Sequence, residues 1–249
     1  MTAVVPQPGA PRVVTDFSVE EESARFEAAT PEERLAFAVE RFGDGLLMTS
    51  SFGESAAILL HMWSRVAAGR PVVFIDTGFL FDETHAYQRD LAARFGLNVR
   101  VVRPAVPRAV FLAANGEDIM VRDPDACCAH NKVAPLEPLL EEATAWVSGL
   151  RRDQSRTRAH VPIFERTDKG KIKVYPLATM TAEQADRYRS EHAIPEHPLR
   201  ARRYLSIGCE PCTRPVEDGE DARAGRWAGT GKTECGLHSP RRPRKETAA

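Results

Sequence analysis

Apolar positions in this chain follow two rhythms. Residues 72–76, Val-Val-Phe-Ile-Asp, form a near-continuous apolar run, the pattern of a parallel strand covered on both faces. Residues 46–50, 99–102 and 145–148 read as further strands. Between them lie stretches that read as helices, at 55–68 and at 83–95, where Leu91 and Phe95 stand four apart. The alternation predicts an α/β fold, a doubly wound, mostly parallel sheet with helices on both faces. The ends break the rhythm. Residues 1–15 carry three prolines and no helical period, and residues 239–249 are rich in Arg and Pro, so both are expected to be disordered tails. This leaves a main domain over residues 16–215 and a C-terminal segment over 216–238. Gly225, Gly229, Gly231 and Gly236 predict that the segment is mobile.

Charge refines this picture. The net charge is −1, but from Arg200 onward eleven Lys/Arg face seven Asp/Glu, a local excess of four positive charges. A basic C-terminal part suits an anionic small molecule. The basic residues are not interleaved with stacking aromatics, so nucleic acid is not the expected partner. No apolar run approaches the roughly 18 residues of a membrane span, and the N-terminus lacks a basic-then-apolar signal, so a cytoplasmic protein without a membrane partner is expected. Oligomeric state is open, with a homo-oligomer compatible with the sequence.

After the first strand, Ser50-Ser51-Phe52-Gly53-Glu54-Ser55 leads straight into a helix. A strand, a small-residue turn and a helix N-terminus make an anion site, because unpaired backbone N–H groups and the helix dipole point at it. Gly53 permits close approach and Ser51 adds a hydroxyl. The Gly-Lys-Ser/Thr ending of a Walker A loop is absent. A plain capped helix start is the alternative reading. Asp76-Thr77-Gly78 closes the next strand, where Asp76 either meets a ribose or adenine edge or caps the following turn.

Five cysteines carry the chemistry. Cys209-Glu-Pro-Cys212 has a spacing used by zinc and by iron–sulfur sites. Cys127-Cys128 is an adjacent pair, whose side chains project in different directions and seldom satisfy one tetrahedral ion. A cluster offers several irons, so the four residues favour [4Fe–4S] over zinc. Reducing cytosol also argues against disulfides. Cys235 is left for chemistry, in Lys232-Thr-Glu-Cys235-Gly-Leu-His238, downstream of Arg223 and Arg226. Nearby cations raise the thiolate fraction of a cysteine.

The pieces Ile75-Asp-Thr-Gly78, Cys127-Cys128…Lys132-Val133, Gly149-Leu-Arg151-Arg152-Asp-Gln-Ser155, Cys209-x-x-Cys212 and Glu234-Cys-Gly-Leu-His238 occur in this order. Together, over roughly residues 48–238, they resemble the assimilatory adenylylsulfate (APS) reductases of the PAPS/APS reductase family. The resemblance implies an ATP pyrophosphatase-like fold and a [4Fe–4S] cluster on Cys127, Cys128, Cys209 and Cys212. It implies substrate contacts at Ser51, Gly53, Asp76, Lys132, Gly149, Arg151, Arg158, Arg223 and Arg226, with the last two arginines on the sulfate. It also implies reduction of APS to sulfite and AMP through an S-sulfocysteine at Cys235, with thioredoxin as electron donor, in sulfate assimilation and cysteine biosynthesis. His238 is assigned either to proton traffic or to docking of the tail. Where the family commonly has a basic residue before Lys132, this chain has Asn131, and the stretch around Arg158 is shorter than usual.

Three other readings remain: a reductase for 3′-phosphoadenylylsulfate (PAPS) or for both substrates, a zinc-stapled nucleotide-binding module without catalysis, and an ATP-consuming adenylating enzyme of the same fold. PAPS-specific relatives generally lack the four other cysteines, which favours APS.

Overall fold

The computed structural model describes residues 14–53 and 55–237. The expected tails lie largely outside these residues, as does His238; Val14, inside the stretch read as the first tail, is buried in the core. Strands β1 (Leu46–Ser50), β2 (Pro71–Ile75), β3 (Asn98–Val102), β4 (Ala145–Val147), β5 (Phe164–Arg166) and β6 (Ile172–Val174) form one sheet in the order β3-β2-β1-β4-β6-β5. All neighbours are parallel except β5 and β6. β2 is buried from Val72 to Ile75, as its unbroken apolar run requires.

Of two N-terminal helices, α1 (Val19–Arg25) packs on the edge strand β5 and α2 (Pro31–Phe42) packs on β1. α2 starts where Thr30 and Glu33 exchange capping bonds and Pro31 takes the first helical position. Phe17, Phe26 and Phe37 surround Phe164 of β5, with ring centroids 5.3 to 5.9 Å away. Beside them Arg34 is fully buried, donating to the carbonyls of Phe26, Glu27 and Pro176. Three neutral acceptors make that buried cation tolerable.

Helices α3 (Ala56–Val66) and α4 (Asp82–Phe95) follow β1 and β2. Beyond β3, the short helices α5 (Arg108–Asn115), α6 (Ile119–Arg122) and α7 (Pro124–Cys128) lead into a π-helical turn, Ala129–Val133, and then α8 (Ala134–Glu142). The last helix, α9 (Ala182–Glu191), follows the β5–β6 hairpin. None of the described helices is long and apolar enough to cross a membrane.

This order fixes where a ligand goes. From β1 the chain builds outward to β2 and β3, then returns to lay β4 against the other side of β1. The connections after β1 and β4 thus diverge, opening a crevice outside the carboxyl ends of these two strands.

Candidate active site

A cavity of about 430 Å³ occupies that crevice, a volume suited to a nucleotide-sized ligand. The β1 turn forms one wall. Phe52 has a φ of +49° and is fully buried against Phe74, which leaves Ser51 and Gly53 facing the cavity. The N-terminus of α3 opens there, and the Ser55 side chain does not cap it. Gly53 has a reason besides ligand approach: a Cβ would stand 3.1 Å from the Ile207 carbonyl oxygen.

The β4 connection supplies the second wall, Ser148 to Arg151, then Asp153, Gln154 and Arg158. The adjacent arginines diverge, Arg151 in extended backbone and Arg152 opening the tight turn Arg152–Gln154. Arg151 faces the cavity and is held by Asp153 at 2.9 Å. Arg152 turns away to Glu27 and the Val161 carbonyl. Asp76 is placed differently. It is absent from the cavity lining; one oxygen accepts from Arg103 at 2.9 Å and the other from the Gly78 N–H at 3.1 Å. This is the turn-capping arrangement.

Four cysteines line a third side of the cavity. Cys127 and Cys128 end α7, and the wide π turn that follows presents Lys132 to the cavity while burying Asn131. The Asn131 amide donates to the Cys127 carbonyl at 3.1 Å and lies 3.6 Å from the Cys127 sulfur. Cys209 is held by a bridge to Leu80 and by Thr77 Oγ1, 3.2 Å from its sulfur. The Cys212 carbonyl accepts from the Trp227 N–H at 3.0 Å. All five cysteines are free thiols. Burial, then the neighbouring Cys128, pushes the Cys127 thiol up to about 11; burial, then Cys209, pushes Cys212 up to about 12. Cys128 is raised by burial against the pull of Lys232 and Lys132. Among the described residues no three His, Cys, Asp or Glu converge as a single metal ion requires.

The C-terminal strap closes the cavity with Asp221, Arg223, Arg226, Trp227, Cys235 and Leu237. The Arg226 guanidinium lies 4.4 Å from the Trp227 ring centroid and donates to the Ile207 carbonyl, while its buried Nε–H has no partner among the described residues. Gly208 makes this possible, because a Cβ there would stand 2.2 Å from Arg226 Nη2. The buried Lys232 ammonium donates to Pro124 and Asp125 at the start of α7. Cys235 itself is buried. Burial alone would raise its thiol; Lys132, the Leu237 N–H and Arg226 outweigh burial, so the net shift is downward.

Of the residues chosen from sequence, the structure thus brings Ser51, Gly53, Lys132, Gly149, Arg151, Arg158, Arg223, Arg226 and all five cysteines to one cavity. Sequence reasoning gave no role to Gly208, Gln154 or Trp227, and it named Glu234 without assigning it one. Gly208 and Glu234 act on partners distant in the chain, Arg226 and Arg158; Gln154 accepts from the nearby Arg151 N–H and Arg158, and Trp227 lies under the neighbouring Arg226 guanidinium.

A family model described as the phosphoadenosine phosphosulfate reductase domain matches residues 45–215. The chain is 46% identical to the adenosine 5′-phosphosulfate reductase of Streptomyces coelicolor, over 85% of this chain and 89% of that one. It is 42% identical to the phosphoadenosine 5′-phosphosulfate reductase of Gloeobacter violaceus, over 89% and 94%. Among solved structures, the phosphate complex of phosphoadenylyl-sulfate reductase from Candida auris superposes with a TM-score of 0.71 at 25% identity, covering 84% of this chain and all of that one. The sheet is accordingly of the ATP pyrophosphatase-like type, and the chain belongs to the phosphoadenosine phosphosulfate reductase family of enzymes.

Proposed function

We propose that this enzyme reduces APS to sulfite and AMP in the cytoplasm, with Cys235 as nucleophile. One observation carries the reading: a fifth thiol, its ionisation favoured by Lys132 and Arg226, forms part of the wall of a nucleotide-sized cavity. Several relatives named adenosine 5′-phosphosulfate reductase, including those of Streptomyces coelicolor and Chelativorans, support APS as substrate. The relative named phosphoadenosine 5′-phosphosulfate reductase, at 42% identity, keeps PAPS as the second reading.

Cys127, Cys128, Cys209 and Cys212 fit a [4Fe–4S] cluster. They are four soft donors on one side of the cavity. Left to themselves, the Cys127, Cys128 and Cys212 thiols, raised by burial, stay protonated; a bound metal centre reverses that and takes its ligands as thiolates. A cluster spreads its ligands over several irons, so it does not need the convergence on one point that zinc needs. When bound, the cluster would contribute an electrostatic field at the sulfate end of the cavity.

The chain's own residues account for the remaining chemistry. The α3 N-terminus and the β1 turn suit the nucleotide phosphate. Arg223, Arg226 and Lys132 suit the sulfate, the arginines by their planar forks; the Arg226 Nε–H, without a partner among the described residues, is one such donor. The Cys235 thiolate attacks the sulfate sulfur, the S–O bond to the phosphate breaks, and AMP leaves with the electron pair. The product is S-sulfocysteine. With the other four cysteines committed, resolution falls to an external dithiol of the thioredoxin type. Its first thiolate attacks the Cys235 sulfur and expels sulfite; its second displaces Cys235 and closes the donor's disulfide.

The test compares kcat/KM for APS and PAPS side by side, with thioredoxin as donor and anaerobically purified enzyme. APS should be strongly preferred; a preference for PAPS would move the chain to the second reading.

A further inference from the structure

In this structure Cys235 is buried, yet its adduct must reach a donor dithiol. Resting on the proposed function, we infer that Glu234 is a positioning residue, a carboxylate latch that clamps the Cys235 segment shut and yields once the thiol carries the transferred group. Glu234 accepts both forks of Arg158, Nε at 2.8 Å and Nη2 at 2.7 Å. It also accepts from Thr157 Oγ1 at 3.1 Å and from Arg223 Nη2 at 3.3 Å. The three charged side chains are only 10 to 15% exposed, so solvent screens them little.

The partners come from different parts of the chain. Arg158 belongs to the turn Arg156–Arg158 beyond β4, whereas Arg223 lies on the strap. Glu234 therefore ties the segment to the main domain at the residue next to Cys235. Two further fastenings flank it: Lys232 donates to Asp125 three residues before the thiol, and Leu237 packs against the cluster of Ile75, Leu136 and Trp146 beyond it. Of the three, only the Glu234 pairing shares its cations with the cavity wall.

Both arginines also line the cavity, while Glu234 does not. They are shared between the latch and the bound anion. Before reaction, two arginines on one carboxylate keep a positive excess at the cavity wall. After reaction, Cys235 bears a sulfonate one residue from Glu234. Two anions then compete for the same guanidiniums, and like-charge repulsion adds to the competition. The latch weakens when the adduct needs exposure.

Glu234→Gln keeps the shape and removes the charge. Holoenzyme with wild-type iron content and circular dichroism is compared with this variant. Iodoacetamide labelling of Cys235, read by peptide mass, should be faster by roughly ten-fold or more, as loss of a bidentate charged pair implies. Adduct formation on mixing with APS should slow, whereas clearance of the adduct by dithiothreitol should speed up. AMP affinity should not fall, because the arginines are freed. Glu234→Asp, which keeps the charge on a shorter arm, should fall between the two in each readout and provides the test if the Gln variant loses iron. Unchanged labelling, a parallel loss of AMP binding and both rates, or an Asp variant equal to the Gln variant would overturn the latch. If wild-type enzyme forms no adduct at all, the proposed chemistry fails instead, and labelling alone still judges the latch.

Discussion

Gly208→Ala isolates the contribution of one guanidinium without touching it. A Cβ at this position would lie 2.2 Å from Arg226 Nη2, 2.4 Å from Cζ and 2.9 Å from Nη1, all below any real contact distance. The obstacle is the end of a flexible side chain, so Arg226 swings away while the backbone stays. It leaves the Ile207 carbonyl at 3.2 Å and the face of Trp227. It also leaves the cavity, costing the sulfate one charge-assisted hydrogen bond. Such a bond is worth about 1.5–3 kcal/mol, roughly ten- to a hundred-fold in affinity. Gly225→Ala is the control. Its Cβ would meet the Arg214 carbonyl oxygen at 2.2 Å; backbone cannot swing aside, and the strain costs about 1–3 kcal/mol of stability. Calorimetric titration with APS and with AMP, beside thermal melting, separates the two. Gly208→Ala should weaken APS far more than AMP and leave Tm nearly unchanged, while Gly225→Ala should lower Tm. Equal affinities in wild type and Gly208→Ala would refute the placing of Arg226 on the sulfate.

Three further outcomes are expected. Serine at any one of Cys127, Cys128, Cys209 or Cys212 should lower iron from about four per chain and abolish activity; full activity in iron-free protein would end the cluster reading. Arg34→Met should lower stability by about 2–5 kcal/mol, since the Glu27 and Pro176 carbonyls lose the guanidinium and the Phe26 carbonyl keeps only the Ala29 N–H, with kcat/KM unchanged in the folded fraction, as denaturant titration and kinetics would show. His197 accepts the Leu199 N–H at Nδ1, so its proton sits on Nε2, 3.1 Å from Thr84 Oγ1. Burial lowers it to about 4, so the folded state resists protonation; stability should hold above pH 6.5 and fall by roughly 3 kcal/mol as pH drops to 4, a slope that His197→Gln removes in pH-dependent melts.

The parts of the fold legible in the sequence were those with an unmistakable period. Expectations at 46–50, 72–76 and 83–95 match β1, β2 and α4 to within a residue at either end. The β5–β6 hairpin was not legible: β4 is equally short but apolar throughout, whereas Phe-Glu-Arg and Ile-Lys-Val are broken by charged residues, and Phe164 owes its place to aromatic partners from residues 17–37. The π turn was equally hidden; its extra residue per turn has no compositional mark. At the site, clustered residue types drew attention to the cysteines and arginines. Asp76 shows the limit: the same residue serves a ligand or a turn, and only Arg103 and the Gly78 N–H show how it is engaged. Glu234 looked like a mere flank to Cys235, since Arg158 lies 76 residues away.

The central claim is that Cys235 alone receives the sulfur of the substrate. Wild-type enzyme mixed with APS and no reductant should gain one SO₃ group, about 80 Da, on the Cys235 peptide, with release of one AMP, and reduced thioredoxin should remove the adduct as sulfite. Cys235→Ser should fold, keep its iron and bind APS, yet gain no mass and release no AMP, because a hydroxyl is hardly ionised at neutral pH. An adduct on any other residue, or sulfite release by Cys235→Ser at the wild-type rate, would contradict the account.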